Sequence, residues 1–177
     1  MKILQKICFV LLLTTFSSVY GGSCNDVDEC RIKAEQGYSE AQFILGVMYE
    51  HGLGVIKDYK AAVKWYRLSA EQGHSISQYG LGLMYLNGQG VAQDDKESVK
   101  WTRKSAEQGY TKAQFNLGVM YAGGEGVIKD FAMAHMYWNI AAVSGDKIAK
   151  KERDRIEGVM TASQIEKAQD LAREWIR

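Results

Sequence analysis

The chain of 177 residues lacks proline altogether and contains only three cysteines and three histidines. The absence of proline favours uninterrupted helices, because proline breaks the interior of a helix. A formal net charge of +1 lacks the positive excess that is typical of proteins binding nucleic acid or an acidic membrane surface. With 46% hydrophobic and 24% charged residues, the chain has the composition of a globular protein rather than a disordered one.

The chain also lacks an apolar run of the ~20 residues that a membrane-spanning helix needs. A shorter apolar stretch, residues 7–13, follows Lys2 and Lys6 and precedes small residues that include Gly21 and Gly22. This order is typical of a secretory signal peptide, and the shortness of the stretch disfavours a retained membrane anchor. We therefore expect residues 1–22 to be a signal peptide, residues 23–33 to be a lead-in segment, and the protein to be periplasmic or secreted from a bacterium.

The cysteines agree with export. Cys8 lies inside the predicted signal peptide, which leaves Cys24 and Cys30 as an even pair in an oxidising compartment. A disulfide between them would close a short loop ahead of the first repeat. Acylation of Cys24, as in bacterial lipoproteins, is the alternative, but Gly21 stands where such signals carry an aliphatic residue.

Most of the remaining chain is one pattern written three times. The segment Ala-Glu-Gln-Gly occurs at residues 34–37, 70–73 and 106–109, so the period is 36 residues (70 − 34 and 106 − 70). A fixed period of this length indicates stacked supersecondary units. We expect repeats at residues 34–69, 70–105 and 106–141, followed by a degenerate repeat and a capping helix at residues 142–177.

Each repeat is predicted to contain two helices. The first begins near residues 39, 75 and 111, where a hydroxyl residue precedes a glutamine by three positions, as in a capping box. Its apolar residues recur at helical spacing and lie on one face. Gly46 and its equivalents Gly82 and Gly118 interrupt this helix at a cost of about 1 kcal/mol each, which predicts a close approach by another helix.

Glycines and aspartates separate the helices. Glycine pairs end the first helix at residues 52 and 54, 88 and 90, and 124 and 126, because glycine adopts the positive φ of a helix exit. These loops follow helices and lack the Gly-Lys-Ser/Thr ending of a phosphate-binding loop. Asp58, Asp94 and Asp130 are predicted N-caps of the second helix. Gly73, Gly109 and Gly145 end that helix.

The pattern resembles the Sel1-like repeat family. The resemblance rests on Ala-x-x-x-Leu-Gly-x-Met-Tyr at residues 41–49, Gly-x-Gly-Val at 52–55, Asp58, Ala62, Trp65-Tyr66, and the Ala-x-x-Gly at 70–73. The second repeat departs from it at Ser77, Ser98 and Thr102. The resemblance implies an all-α fold, an α/α solenoid of antiparallel helix pairs related to tetratricopeptide repeats, whose units are shorter.

After Gly145 the repeat degenerates. The run of residues 150–155 is charged on most sides, which is expected of a solvated solenoid end. Thr161 and Gln164 form another predicted capping box. The final helix then carries one apolar face, made of Ile165, Ala168, Leu171, Ala172 and Trp175.

No catalytic residue, metal site or cofactor is predicted. His51, His74 and His135 stand at unrelated positions of the repeat and form no His-x-x-x-His pair. The Ser-x-x-Lys pattern of penicillin-recognising enzymes occurs at Ser144 and Lys147, but its Ser-Asp-Asn and Lys-Thr-Gly partners are missing. Such a match is expected to be accidental, because it contains the turn glycine of the repeat.

The sequence therefore predicts an exported adaptor that binds a protein or peptide partner on the concave surface of its solenoid. The partner-specific side chains should be those that differ between repeats at exposed positions of the first helices: Glu40, Ile44, Val47, Glu50, Ile76, Leu83, Leu86, Lys112, Asn116 and Val119. For Val47, Leu83 and Val119, packing between helices is an equal alternative. Family analogy adds two alternatives, a hydrolase acting on cell-wall or β-lactam substrates and a host-directed secreted effector.

Overall fold

The computed structural model describes residue 24 and residues 26–176, and these form nine α-helices without a strand. The predicted signal peptide lies outside the described residues. The chain divides into two compact units, Met1–Ala92 and Gln93–Arg177. No helix of the described part is both long and apolar enough to cross a bilayer.

Unit 1 contains four described helices: α1 (Val27–Glu35), α2 (Ser39–His51), α3 (Tyr59–Glu71) and α4 (Ser75–Asn87). Each helix packs against the next one along the chain, so that α2 lies between α1 and α3. Cys24 and Cys30 are joined in a disulfide, with their Cα atoms 4.9 Å apart. Both cysteines are buried, and the bond ties the chain that enters α1 to its first turn.

Unit 2 contains α5 (Asp95–Glu107), α6 (Thr111–Gly123), α7 (Phe131–Val143), α8 (Lys147–Glu157) and α9 (Ala162–Ile176). Helices α5 to α8 pack in sequence, and α9 returns to pack against α7. The predicted apolar face of α9 contributes Ala168 and Ala172 to the core. Packing of consecutive helix pairs confirms the all-α solenoid class.

The buried side chains follow the repeat. Leu45, Leu81 and Leu117 are fully buried, and so are the methionines three residues after each of them. Burial of one such side chain contributes about 1.5–3 kcal/mol. The helical spacing of the apolar residues therefore identified the core face of the first helices.

Two of the three mid-helix glycines, Gly46 and Gly118, permit close helix packing, as predicted. A Cβ atom added to Gly46 would lie 2.6 Å from Cδ1 of Tyr66 on α3, and one added to Gly118 would collide with the indole of Trp138 on α7. The indole Nε1 of Trp138 donates to the carbonyl oxygen of Phe115 at 3.1 Å. An aromatic ring of the second helix thus rests directly on the backbone of the first.

The predicted helix ends are correct at most positions. Asp58, Asp94 and Asp130 each accept hydrogen bonds from two backbone amides of the following first turn. Gly52, Gly88 and Gly124 adopt left-handed conformations at the ends of α2, α4 and α6. The capping box of Thr161 and Gln164 forms as well.

The capping boxes predicted for the three first helices are wrong. Their N-caps are Tyr38, His74 and Tyr110, and the hydroxyl residues are already the first helical residues. The glutamines do not reach back to the caps. Instead, the Nε2 atoms of Gln42, Gln78 and Gln114 donate to the carbonyl oxygens of Ala34, Ala70 and Ala106, at 3.0, 3.1 and 3.3 Å.

The reason lies in the end of the preceding helix. Its last carbonyl groups have no partner within the helix, and these alanines are buried. Each of these carbonyl oxygens accepts one hydrogen bond from the amide of the turn glycine three residues later. The glutamine Nε2 donates the second, so that both lone pairs of a buried oxygen are satisfied. The repeated Ala-Glu-Gln-Gly segment is therefore joined to the next helix through the carbonyl of its alanine.

Candidate protein-binding surface

The candidate residues on α2 are not equally accessible. Glu40, Val47 and Glu50 are partly exposed, whereas Ile44 is only 5% exposed. Ile44 was therefore wrongly predicted to face solvent. Because α2 packs against both α1 and α3, its buried face is wider than the stripe that one neighbouring helix would require.

Both acidic candidates on α2 already have partners inside unit 1. The Oε2 atom of Glu40 lies 3.0 Å from Nε2 of His74. Glu50 accepts a hydrogen bond of 2.5 Å from the hydroxyl of Tyr66. Burial of Tyr66, together with the Glu50 carboxylate, raises the pKa of this phenol well above its usual value. These two carboxylates organise the unit and are less available to a partner than the sequence suggested.

Helix α4 carries three apolar candidates, Ile76, Leu83 and Leu86, and all three are partly exposed. Leu83 and Leu86 are three residues apart and share one face of the helix. Gly80 stands at the position that Ile44 occupies in the first repeat. This part of unit 1 therefore presents apolar side chains whose burial is incomplete.

In unit 2 the candidates lie on α6. Lys112 is exposed, Val119 is 39% exposed, and Asn116 is partly exposed. For Val119, this exposure leaves a substantial apolar area uncovered by the helices of its own unit. The corresponding side chains Val47 and Leu83 are more deeply placed.

His74 connects three helices through hydrogen bonds. The backbone amide of Ser77 donates to Nδ1 of His74 at 3.2 Å, so in the neutral ring the proton resides on Nε2 and is donated to Glu40. The hydroxyl of Ser77 lies 2.8 Å from Nδ1 and donates to the hydroxyl of Ser69, which donates to the carbonyl of Ser39. Carboxylate, imidazole and hydroxyl thus stand in the order of a hydrolase triad.

The chemistry of a triad does not follow from this order. Ser77 is 0% exposed, and its proton is directed to Ser69 rather than to the imidazole. A nucleophile must reach a substrate, and its proton must pass to the base. The chain of hydrogen bonds therefore holds α2, α3 and α4 together. Two departures from the repeat in residues 70–105 could have revealed it, because His74 replaces a tyrosine and Ser77 replaces an alanine.

The remaining candidate catalytic and metal-binding residues do not form a site. Ser144 ends α7 and donates to the carbonyl of Ile140, whereas Lys147 begins α8, so the serine does not start a helix as the enzyme pattern requires. Buried His135 lies 2.6 Å from Glu157 through Nε2. Within the described part of the chain, no group of three His, Cys, Asp or Glu residues is placed to hold a metal ion.

One recurring contact, a hydrogen bond between an arginine and a tyrosine, was not predicted from the sequence. The guanidinium of Arg67 on α3 donates to the hydroxyl of Tyr85 on α4 at 2.7 Å. Arg103 on α5 donates to Tyr121 on α6 at the same distance. The signal was present, because arginines recur at residues 31, 67 and 103 and tyrosines at 49, 85 and 121. Periodicity did not tell which of these side chains meet.

Comparison with known proteins agrees with this arrangement. A model of the Sel1 repeat matches residues 39–74, 75–110 and 111–146. These intervals begin with the first residue of each first helix, later than the boundaries predicted from the Ala-Glu-Gln-Gly segments. Curated protein sequences give no significant match.

Several solved bacterial structures are similar. A Sel1 repeat protein from Oxalobacter formigenes is 36% identical with a TM-score of 0.68, covering 75% of this chain and 99% of that one. A protein described as a protective antigen of uropathogenic Escherichia coli strains, with an SLR fold, is 38% identical with a TM-score of 0.70. That match covers 80% of this chain but only 31% of the antigen, so the chain spans about a third of that relative.

A third solved structure, cysteine-rich protein B from Helicobacter pylori, has a TM-score of 0.57 and is 20% identical. The match covers 75% of this chain and 98% of that one. Identity this low supports the shared fold alone, and no activity is transferred from it.

Proposed function

Because the chain belongs to the Sel1 repeat family, we propose that it acts as an exported scaffold that binds a protein or peptide partner through the first helices of its repeats. Sel1 repeats commonly serve as scaffolds for protein interactions. Stacked helix pairs generally present an extended concave face for this purpose. The partner-specific residues of the proposal are a reduced set, because Ile44 is buried and two carboxylates are engaged: Val47, Ile76, Leu83, Leu86, Lys112, Asn116 and Val119.

One observation supports the proposal most. The central buried positions of the first helices repeat without change, as in Leu45, Leu81 and Leu117 and the methionines three residues after each of them. Partly exposed positions of the same helices differ, so that Glu50 corresponds to Leu86 and Glu40 corresponds to Ile76. A scaffold needs constant packing, whereas recognition needs side chains that vary. We assign the main apolar anchor to Leu83 and Leu86, because these two apolar side chains are partly exposed on one face of α4.

Export is the second part of the proposal. It is supported by the charged and apolar pattern of residues 1–22. The description of the E. coli relative as a protective antigen supports it as well. Fractionation of bacteria that express the chain with a C-terminal epitope should place a shortened protein outside the cytoplasm. A full-length protein found only in the cytoplasm would contradict this part.

The binding surface is tested with a matched pair of variants. Leu83→Glu/Leu86→Glu places two carboxylates in the proposed anchor, whereas Leu68→Glu adds charge at a leucine of α3 that is 37% exposed. Affinity purification from periplasmic and culture-supernatant extracts should recover a partner with the parent protein and with Leu68→Glu. The double variant should lose it while keeping its circular dichroism spectrum. A partner retained equally by all three proteins would show that α4 is not the binding surface.

A further inference from the structure

A second candidate site lies in unit 1, apart from the residues of the proposed scaffold surface. It is a groove of about 570 Å³ between α1 and the loop that joins α2 to α3. We call it the α1 groove. Its lining residues are Val27, Asp28 and Arg31 of α1, Tyr49 of α2, and the segment Gly54 to Asp58. None of these residues belongs to the surface proposed above.

Two of the lining residues can be compared with their equivalents in the next repeat. Arg31 and Tyr49 stand 36 residues before Arg67 and Tyr85, which form the 2.7 Å hydrogen bond. Arg31 and Tyr49 do not form it. The nearest carboxylate oxygen to Arg31 belongs to Asp28 at 3.9 Å, which is too long for a hydrogen bond, and the Asp28 side chain is 90% exposed. An ion pair this exposed contributes little.

Both side chains therefore keep their polar groups available at the groove. Among the described residues, the guanidinium of Arg31 and the hydroxyl of Tyr49 have no hydrogen-bond partner. A guanidinium offers two parallel N–H donors to a carboxylate, and a phenol can add a third hydrogen bond. The equivalent arginine and tyrosine are hydrogen-bonded to each other at two later positions of the chain. At the α1 groove, Arg31 and Tyr49 are therefore available to bind a ligand.

The other lining residues define what accompanies the carboxylate. The Oδ1 atom of Asp58 accepts from the amides of Lys60 and Ala61, and among the described residues Arg31 lies within 4 Å of an oxygen of Asp28 but not of Asp58. Lys57 adds a positive charge to the loop, with its Nζ 4.5 Å from the ring centre of Tyr59. Val27, Val55 and Ile56 form an apolar wall, and Ile56 is 91% exposed. An apolar side chain next to the acidic group would cover this wall.

We propose that the α1 groove binds an acidic peptide segment of a partner protein. Arg31 and Tyr49 hold one carboxylate of the segment, Lys57 provides favourable charge, and an adjacent aliphatic side chain of the segment packs on Val55 and Ile56. The carboxylate belongs either to an aspartate or glutamate side chain or to the C-terminus of the peptide, since both present the same acceptor geometry to Arg31.

Three fluorescent peptides distinguish these sources. The first is Gly-Ser-Glu-Ile-Glu-Gly-Ser with both ends blocked, the second replaces each glutamate by glutamine, and the third is the glutamine peptide with a free C-terminal carboxylate. Fluorescence anisotropy measures affinity, and amide shifts in NMR spectra locate the contact. We expect the first or third peptide to bind at least about tenfold more tightly than the second, with shifts at Arg31, Tyr49 and Lys57.

Variants then test the residues. Arg31→Gln should weaken binding of the acidic peptide by at least about tenfold, and Tyr49→Phe should weaken it by a smaller factor. Lys60→Gln removes one exposed positive charge nearby and should change the affinity by less than about twofold. Circular dichroism should show that all variants keep their helices.

Four results would overturn the proposal: equal binding of the glutamate and glutamine peptides, shifts that map to α4 instead, insensitivity to Arg31→Gln, or no binding at millimolar peptide. Self-association that Arg31→Gln abolishes would show instead that a second copy of the chain occupies the groove. The outcome is independent of the scaffold surface, because Leu83→Glu/Leu86→Glu should leave binding of the acidic peptide unchanged.

Discussion

Units 1 and 2 use the same internal contacts but end in different ways. Each unit joins a second helix to the following first helix by an arginine–tyrosine hydrogen bond. Unit 1, however, carries the short helix α1 and a disulfide, whereas unit 2 ends in α9, whose Trp175 ring packs edge-on against Tyr137 at 5.5 Å. Repeated contacts can be copied from one repeat to the next. The disulfide and the Tyr137–Trp175 contact each occur in one unit only among the described residues.

The largest expected effect tests a close contact that occurs inside each of the two units. A Cβ atom on Gly90 would collide with the backbone of Tyr59, and one on Gly126 would collide with the backbone of Asp95. Both glycines also have positive φ. Gly90→Ala and Gly126→Ala should each lower the free energy of unfolding by about 3 kcal/mol or more, measured by urea denaturation.

Gly109→Ala is the control for backbone conformation alone. Gly109 has a φ of 84°, but no atom lies within 4 Å of its added Cβ. Its substitution should cost about 1 kcal/mol. Equal losses at the three glycines would mean that the loops do not pack as tightly on the helix starts as the structure indicates.

The next effect concerns the disulfide that distinguishes unit 1. Replacing both cysteines, in Cys24→Ser/Cys30→Ser, should lower the free energy of unfolding by about 2 kcal/mol, because the unfolded chain gains the freedom of the short loop. Reductant should destabilise the parent protein by a similar amount and leave the variant unchanged. Cys24 and Cys30 lie on one tryptic peptide that ends at Arg31. If both thiols of that peptide can be alkylated without prior reduction, the pairing is contradicted.

A smaller difference separates two equivalent glutamines. Gln42 in unit 1 donates to the Ala34 carbonyl, and its Oε1 accepts from Gln72 at 2.7 Å. Gln114 in unit 2 donates to Ala106, but its buried Oε1 has no partner among the described residues. We expect Gln42→Leu to cost about 2 kcal/mol and Gln114→Leu about 1 kcal/mol or less, since the second also removes an unsatisfied atom. Thermal unfolding measures both losses of stability. A larger loss for Gln114→Leu than for Gln42→Leu would contradict the prediction.

The smallest effect appears only in alkali. Burial, with a contribution from Tyr121 and opposed by Arg103, raises the pKa of Tyr137 from 10.0 to about 12. The unfolded state therefore loses this proton first, and stability that is fully present below pH 10 should decline between pH 10 and pH 12. Tyr137→Phe should reduce this decline in urea titrations at increasing pH. An identical pH profile for the variant would show that Tyr137 does not ionise differently on folding.

Much of the fold could be predicted because it depends on neighbours in sequence. Asp58 caps α3 through amides two and three residues ahead, and Gly52 ends α2 by its own backbone conformation. The apolar spacing around Leu45 likewise follows from the helical period. These features need only local geometry, and they were predicted correctly.

The candidate surface could be predicted only in part. Ile44 has the spacing of an exposed residue, yet it is covered because α2 packs on two helices. Glu40 looks available in the sequence, yet His74 in the next repeat lies 3.0 Å from it. Whether a side chain is accessible depends on residues one repeat away, and periodicity does not give that distance.

The sequence by itself determines the helices, the 36-residue repeat, the core stripe and the family, because capping, glycine conformation and apolar period act over a few residues. Tertiary structure alone decided the partners of the buried polar groups. It directs Gln42 to a carbonyl of the preceding helix, and it bonds Arg67 to Tyr85 but leaves Arg31 and Tyr49 apart. A hydrogen bond needs two groups within about 3.2 Å of each other, and packing of whole helices sets that separation.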